Sequence, residues 1–190
     1  MLWETGSTNI VMLCGSVNAG KKRCDEFWPK KQTEYFGNLA VQMKEEIRHD
    51  EWIIRQFIVT MRDKVRHVTQ HHFIKWPQLE QAENSLPLVR FIKNYRLLRD
   101  RSTNPTIVMC SNGSGRCGVF IGLLRILDNN GRDVDVFGTV AALRKYRPYM
   151  VQTLSEYIYL HQCVLKFIND VTTEPLRRAP TGDGLEETVF

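Results

Sequence analysis

One stretch of this chain constrains its fold more than any other: Met109-Cys110-Ser111-Asn112-Gly113-Ser114-Gly115-Arg116-Cys117-Gly118. It is a C-x5-R loop between two apolar runs. Thr106 to Met109 reads as a buried strand, and Val119 to Leu127 as an amphipathic helix. A strand, a glycine-bearing turn and a helix start gather backbone N–H groups and a helix N-terminus around one point, a geometry suited to a phosphate dianion. The same positive potential lowers the pKa of a cysteine at the strand end and favours its thiolate. Arginine at the far end offers a planar fork for two phosphate oxygens. Nucleophile, amide cradle and guanidinium clamp are the parts needed to move a phosphoryl group onto sulfur. The plain alternative is a chance Cys and Arg around an ordinary turn. C-x5-R alone is weak, and it is the flanking strand, helix and interior glycines that argue against chance.

The 190 residues fit one domain with a real core. Hydrophobic content of 43% with 25% charged residues places the chain among soluble globular proteins. No apolar run is long enough to span a bilayer, and Met1-Leu2-Trp3-Glu4 lacks the regions of a signal peptide. The five cysteines, at 14, 24, 110, 117 and 163, are odd in number and sit mostly in apolar segments, as expected of reduced cytosolic thiols. Net charge is +5, with basic clusters at Lys21-Lys22-Arg23, Lys30-Lys31 and Arg144-Lys145-Tyr146-Arg147. Aromatic residues do not interleave with them as a stacking platform requires, so no nucleic-acid partner is expected and most of this charge reads as solvated surface.

Asn9 to Cys14 reads as a buried strand followed by a Gly/Asn/Lys loop. Three β-rich stretches come next, at about Asn38–Arg48, Trp52–Arg62 and Val65–Ile74, with His49-Asp50-Glu51 and Asp63-Lys64 at the turns. Trp76-Pro77-Gln78 opens a loop. Leu86 to Leu98 has helical spacing and Asn104-Pro105 ends the segment. Val134–Tyr146 and Thr153–Asn169 read as two further helices. The stretch from Val171 to Phe190, rich in Pro, Gly, Thr and Glu, reads as a disordered tail. The pattern is mixed α/β, a meander feeding a helical second half. His67, His71 and His72 invite a metal reading, but no further ligand has suitable spacing, so they read as solvated strand histidines and no metal is expected.

Taken together, these landmarks resemble a protein tyrosine phosphatase domain of the cysteine-dependent type. Thr8-Asn9-Ile10-Val11-Met12-Leu13 followed by Arg23-Cys24-Asp25-Glu26-Phe27-Trp28-Pro29 matches a recurring family stretch. His72-Phe73 through Trp76-Pro77 falls where the mobile acid loop belongs. Cys110 to Gly118 is similar to the signature His-Cys-Ser-Ala-Gly-x-Gly-Arg-Thr-Gly, and Arg147-Pro148-Tyr149-Met150-Val151-Gln152-Thr153 to the segment entering the glutamine loop. The resemblance implies an α/β, phosphatase II-like fold: a mixed twisted central sheet flanked by helices over residues 1–170. The N-terminal part of the family's domain has no counterpart, which would expose sheet edges and apolar surface and weaken independent stability.

The resemblance also implies roles. Cys110 is the nucleophile, Arg116 stabilises the equatorial oxygens, and Gln152 positions the hydrolytic water. Ser111, Asn112, Gly113, Ser114 and Gly115 bind the phosphate with Arg116, and no cofactor is expected. Several positions depart from the family. Gln78 stands in place of the catalytic aspartate, Met109 in place of the histidine before the nucleophile, and Cys117 in place of the hydroxyl residue after the arginine. Asn18 falls where a glutamate braces the arginine, Asn112 replaces a small alanine, and Glu156 stands where a second glutamine is usual. Cys117 reads as a small buried thiol, with capping of an oxidised Cys110 as its chemical alternative. Glu80 and Glu83 are the nearby carboxylates that compete as substitute acids.

Two readings follow. One is a binding module that holds phosphotyrosine proteins or docks on another phosphatase domain. Gln78 and Val151-Gln152-Thr153-Leu154 resemble the membrane-distal second domain of receptor-type phosphatases. The other is a working tyrosine phosphatase acting through a Cys110 phosphocysteine. The resemblance implies a cytoplasmic location, as a free domain or as the intracellular part of a receptor. Thr188-Val189-Phe190 fits carboxylate capture by a PDZ-type domain, against the plainer reading of a disordered end.

Overall fold

Strand β1 (Asn9–Met12) is buried along its whole length, and its continuation through Leu13 and Cys14 is buried too. Val11 and Leu13 join one hydrophobic cluster, while Ile10, Met12 and Cys14 join the other. A strand whose alternate residues enter two cores must lie inside a sheet covered on both faces. In the computed structural model, which describes residues 1–14, 17–18, 21–22, 24, 26–30, 32–76, 84–99, 104–129 and 134–173, it does so.

Chain order begins with a short helix α1 (Leu2–Thr5), then β1, the two-residue strands β2 (Val17–Asn18) and β3 (Lys21–Lys22), and β4 (Glu34–Phe36). Three long strands follow, β5 (Leu39–Arg48), β6 (Trp52–Met61) and β7 (Lys64–Phe73). Helix α2 (Leu86–Leu98), strand β8 (Ile107–Met109) and helices α3 (Gly115–Asp128), α4 (Val136–Tyr146) and α5 (Leu154–Thr173) complete the described chain. The main sheet has six strands in the order β4-β5-β6-β7-β1-β8. The β4-to-β7 meander is antiparallel, and β1 is parallel to both β7 and β8. This is the mixed sheet flanked by helices that the resemblance implies. α1 and β4 are additions to the sequence reading. α5 continues to Thr173, into the stretch read as tail, while residues 174–190 and the C-terminal Thr188-Val189-Phe190 lie outside the described residues.

Helices α2 to α5 cover one face. Phe91, Ile92 and Tyr95 of α2, Phe120, Leu123 and Leu127 of α3, and Tyr159, Leu160 and Cys163 of α5 close over Val11, Leu13 and Phe73. Local chemistry sets the helix starts. Asp135 caps α4 by accepting from the Gly138 N–H at 2.7 Å, and Thr153 and Glu156 form a reciprocal capping box at α5. On the opposite face lies an open apolar groove of about 480 Å³, lined among others by Trp3, Trp28, Phe57, Val59 and Val68.

Two sequence expectations are corrected. Cys14 and Cys24 are joined by a disulfide, so the reading of all five cysteines as free thiols fails. The chain between them returns Cys24 to the end of β1, bringing the two Cα atoms to 6.5 Å. His71 and His72 are not solvated, because β7 lies between β6 and β1 and both its faces are covered; only His67 is exposed. His72 sits in a buried polar network. Its Nδ1 lies 3.1 Å from Arg55, and its Nε2 lies 2.8 Å from the Cys14 carbonyl. Arg55 in turn pairs with Glu46 at 2.6 Å, bonds Gln70 at 2.9 Å and stacks over Trp28. Burial holds the His72 pKa below the ordinary imidazole value, against the Cys14 contact. No group of histidines, cysteines and carboxylates among the described residues could hold a metal ion.

His71 is the more exposed to acid in its energetics. It is fully buried against the edge of Tyr95, and neither ring nitrogen has a hydrogen-bond partner among the described residues. Burial pushes its pKa from 6.5 down to about 4. Below pH 6.5 the unfolded chain takes up a proton that the folded chain refuses. Stability is therefore full above that pH and falls as pH drops toward about 4. The loss from this residue amounts to about 3 kcal/mol. His71→Phe should remove that component and raise stability across the acid range. Urea unfolding at a series of pH values checks this, and parallel losses in the two proteins would show that His71 is not the acid-sensitive element.

Candidate active site

The loop forms where β8 runs out of partners. β1 and β8 pair in parallel register from Ile10 opposite Ile107 to Met12 opposite Met109. One further bond, from the Leu13 N–H to the Met109 carbonyl at 2.9 Å, holds the residue before Cys110. At the loop's far end Arg116 donates to the Leu13 carbonyl at 3.0 Å, and its guanidinium lies 5.4 Å from the Trp76 ring centroid. The backbone of Leu13 therefore grips both ends of the C-x5-R loop. Between them Gly113 takes a φ of 70°, a left-handed conformation that glycine adopts without penalty. α3 starts at Gly115, earlier than the apolar run indicated, because the Gly118 N–H bonds the Ser114 carbonyl at 2.8 Å and closes the first turn.

Cys110 is half-buried at the mouth of this turn. The Gly113 N–H donates to its sulfur at 3.2 Å, and the Cys117 thiol lies 3.3 Å away. The Cys110 pKa is lowered to about 5, chiefly by the hydrogen bond from Cys117. Burial opposes the shift, and the backbone N–H groups of Cys117, Asn112 and Gly113 add to it. Cys117, buried beside an anionic neighbour, is driven the other way. The Cys117 thiol is thus a side-chain donor to the Cys110 sulfur, a weaker donor than a hydroxyl.

Asn112 is exposed, yet its carboxamide is engaged at both ends. Oδ1 accepts from the N–H groups of Ser114 at 3.1 Å and Gly115 at 3.3 Å, and lies 3.4 Å from the Cys110 sulfur. Nδ2 donates to Gln152 Oε1 at 2.7 Å. Ser111 is exposed beside it.

Gln152 arrives on a segment that the loop itself holds in place. The Val151 N–H donates to the Ser114 carbonyl at 3.3 Å, and Val151 is fully buried with φ 56°. A left-handed β-branched residue is an outlier, sustained only by surrounding contacts. Gly118 permits the approach, since a Cβ there would collide with the Val151 nitrogen. Glu156 bonds the N–H groups of Gln152 at 2.8 Å and Thr153 at 3.1 Å, and its carboxylate lies against Gly115. Arg147 donates to the Asn112 carbonyl at 3.3 Å and lies over Gly113, adding positive potential. Arg147 is the contributor that sequence reading missed as part of the site, hidden in a cluster taken as solvated surface. Glu156, singled out in the sequence at the position of a second glutamine, braces the Gln152 segment.

The structure thus gathers Cys110, Asn112, Gly113, Ser114, Gly115 and Gln152, with Arg116 held at the loop's end on Leu13. Gln78 lies outside the described residues, as do Glu80 and Glu83. Asn18 lies in β2, paired with Lys21 of β3.

Replacing Cys117 tests the electrostatics. Cys117→Ala should raise the Cys110 pKa by about one unit or more, because the strongest donor to the sulfur is lost. Cys117→Ser should keep it low. The pH dependence of Cys110 alkylation by iodoacetamide reads this directly. An unchanged midpoint in Cys117→Ala would assign the shift to the backbone amides alone.

A family model described as protein-tyrosine phosphatase matches residues 1–166. Among curated proteins, phosphatidylinositol phosphatase PTPRQ of Rattus norvegicus is 39% identical over 175 residues, covering 90% of this chain and 8% of its own length. Receptor-type tyrosine-protein phosphatase eta of Homo sapiens is 37% identical over 175 residues, covering 88% of this chain and 13% of its own length. Receptor-type tyrosine-protein phosphatase zeta of Homo sapiens is 31% identical over 189 residues, covering 93% and 8%. The chain spans a small part of the length of each. No helix among the described residues is long and apolar enough to cross a membrane. With its strand, loop and helix order and this match over most of its length, the chain belongs to the protein-tyrosine phosphatase family, alongside receptor-type members.

Proposed function

We propose that this domain recognises phosphotyrosine through the Cys110–Arg116 loop and turns it over poorly. The observation that carries the reading is Gln78, which directly follows Trp76-Pro77 at the position of the general acid. A tyrosine oxygen leaves as an anion whose conjugate phenol has a pKa of about 10. A carboxamide donates a hydrogen bond but releases no proton at accessible pH. General acid catalysis contributes roughly 10²–10⁴ in rate, equivalent to about 3–5 kcal/mol of barrier. Binding does not suffer in the same way, since a neutral Gln78 places no negative charge against the phosphate.

In this reading Cys110, with its low pKa, remains able to attack phosphorus. The loop amides from Ser111 to Arg116 receive the non-bridging oxygens, Arg116 stabilises their charge, and Gln152 positions water for the second step. Residual turnover is confined to esters whose leaving group needs no proton. Phosphotyrosine proteins are the corresponding partners, and another phosphatase domain is the alternative docking target. The name of one relative, phosphatidylinositol phosphatase PTPRQ, brings in an inositol phosphate as a second substrate class. An inositol hydroxyl is a poorer leaving group than a phenol, so the loss of the acid weighs on it more heavily.

Turnover of a phosphotyrosine peptide measured beside that of an activated aryl phosphate separates binding module from enzyme, with a phosphoinositide as a third arm. The expected result is turnover of the activated ester alone, rescue of the peptide reaction by Gln78→Asp, and loss of both in Cys110→Ser. Peptide turnover by the unaltered chain at a rate comparable to the activated ester would establish a working phosphatase instead.

A further inference from the structure

We propose that Asn112 is a built-in occupant of the phosphate cradle, whose carboxamide oxygen holds amide donors that a phosphoryl group needs and must be displaced for one to bind. This rests on the reading of the loop as a phosphate site and adds to it what fills that site between ligands.

The geometry is that of an internal ligand. Oδ1 accepts from the Ser114 and Gly115 N–H groups and sits 3.4 Å from the Cys110 sulfur. A point within reach of consecutive loop amides and of the nucleophile is where a non-bridging phosphate oxygen would lie. The orientation of the carboxamide follows from its partners. Two N–H donors on one side demand the oxygen there, and the other side donates to Gln152 Oε1 at 2.7 Å. Asn112 is exposed, so no packing traps it in this position. A neutral amide oxygen is also a weaker acceptor than a phosphate dianion. Asn112 therefore lowers affinity without closing the site.

Displacement has a second effect. While Asn112 is seated, the side-chain oxygen Oε1 of Gln152 accepts from its Nδ2. When a phosphoryl group takes the amides, Asn112 swings out and Gln152 is released to hydrogen-bond water. Asn112 is thus a positioning residue that couples ligand entry to the freedom of Gln152. Arg147, bound to the Asn112 carbonyl rather than its side chain, stays with the loop in either state.

A purely structural role for Asn112, a side chain bracing a tight turn, makes the opposite prediction, and paired variants separate the two. Tungstate affinity is measured by calorimetry on the whole reduced chain at neutral pH, with thermal unfolding recorded alongside. Asn112→Ala should bind tungstate about tenfold more tightly than the unaltered chain, since two amide donors are freed. Asn112→Asp, a charged isostere that holds the same amides more firmly, should bind it at least about tenfold more weakly. Unchanged or weaker binding by Asn112→Ala, with the unaltered chain still binding, would overturn the proposal and leave the phosphate site standing. Absence of binding in both the unaltered chain and Asn112→Ala would overturn the phosphate site itself, and the proposal with it. Should Asn112→Ala unfold, Asn112→Asp decides the question, because tungstate affinity equal to or above that of the unaltered chain is incompatible with an internal ligand.

Discussion

The backbone of Leu13 holds the two ends of the C-x5-R loop, its N–H to the Met109 carbonyl and its carbonyl to Arg116. Leu13 can do this because it continues β1, which is buried between β7 and β8 and parallel to both. Hydrophobic burial fixes β1, since its alternate residues enter cores on both faces of the sheet. A loop that presents many donors to one point is thereby anchored to a strand buried along its whole length. The helices contribute through the same cores: α3 carries the loop's arginine, and the segment leading into α5 carries Gln152.

Around that anchor the site is a competition for a small set of donors. The Cys117 thiol and the loop amides converge on the Cys110 sulfur and lower its pKa, while the guanidinium groups of Arg116 and Arg147 bond the carbonyls of Leu13 and Asn112. Asn112 takes part of this donor set for itself and engages Gln152 as well. The left-handed Val151 shows how firmly the Gln152 segment is held. A strained β-branched residue is kept there by burial, by its bond to Ser114 and by the close approach that Gly118 allows.

Much of the fold was legible before any coordinates. The three long strands, the helix from Leu86 to Leu98 and the strand-loop-helix at Cys110 follow from periodicity and turn residues, which are local signals. β4 and α1 were missed because they are short and owe their existence to neighbours rather than pattern. His71 and His72 of β7 were misjudged because an alternating strand does not reveal whether its second face meets solvent or another layer. Cys14 and Cys24 were misjudged because a disulfide depends on where the intervening chain returns, not on composition.

The sequence by itself determined the family, the order of Cys110, the glycine-bearing loop and Arg116, and the placing of Gln78 directly after Trp76-Pro77. These are matters of residue identity and spacing along the chain. Only the tertiary structure decided that Leu13 anchors the loop, that Arg147 lies over Gly113, and that the Asn112 carboxamide accepts from the loop amides. The first two depend on groups far apart in the chain that the sheet and helices bring together. The third depends on the turn that aims the Ser114 and Gly115 N–H groups at Asn112, a backbone geometry that residue identity alone does not set.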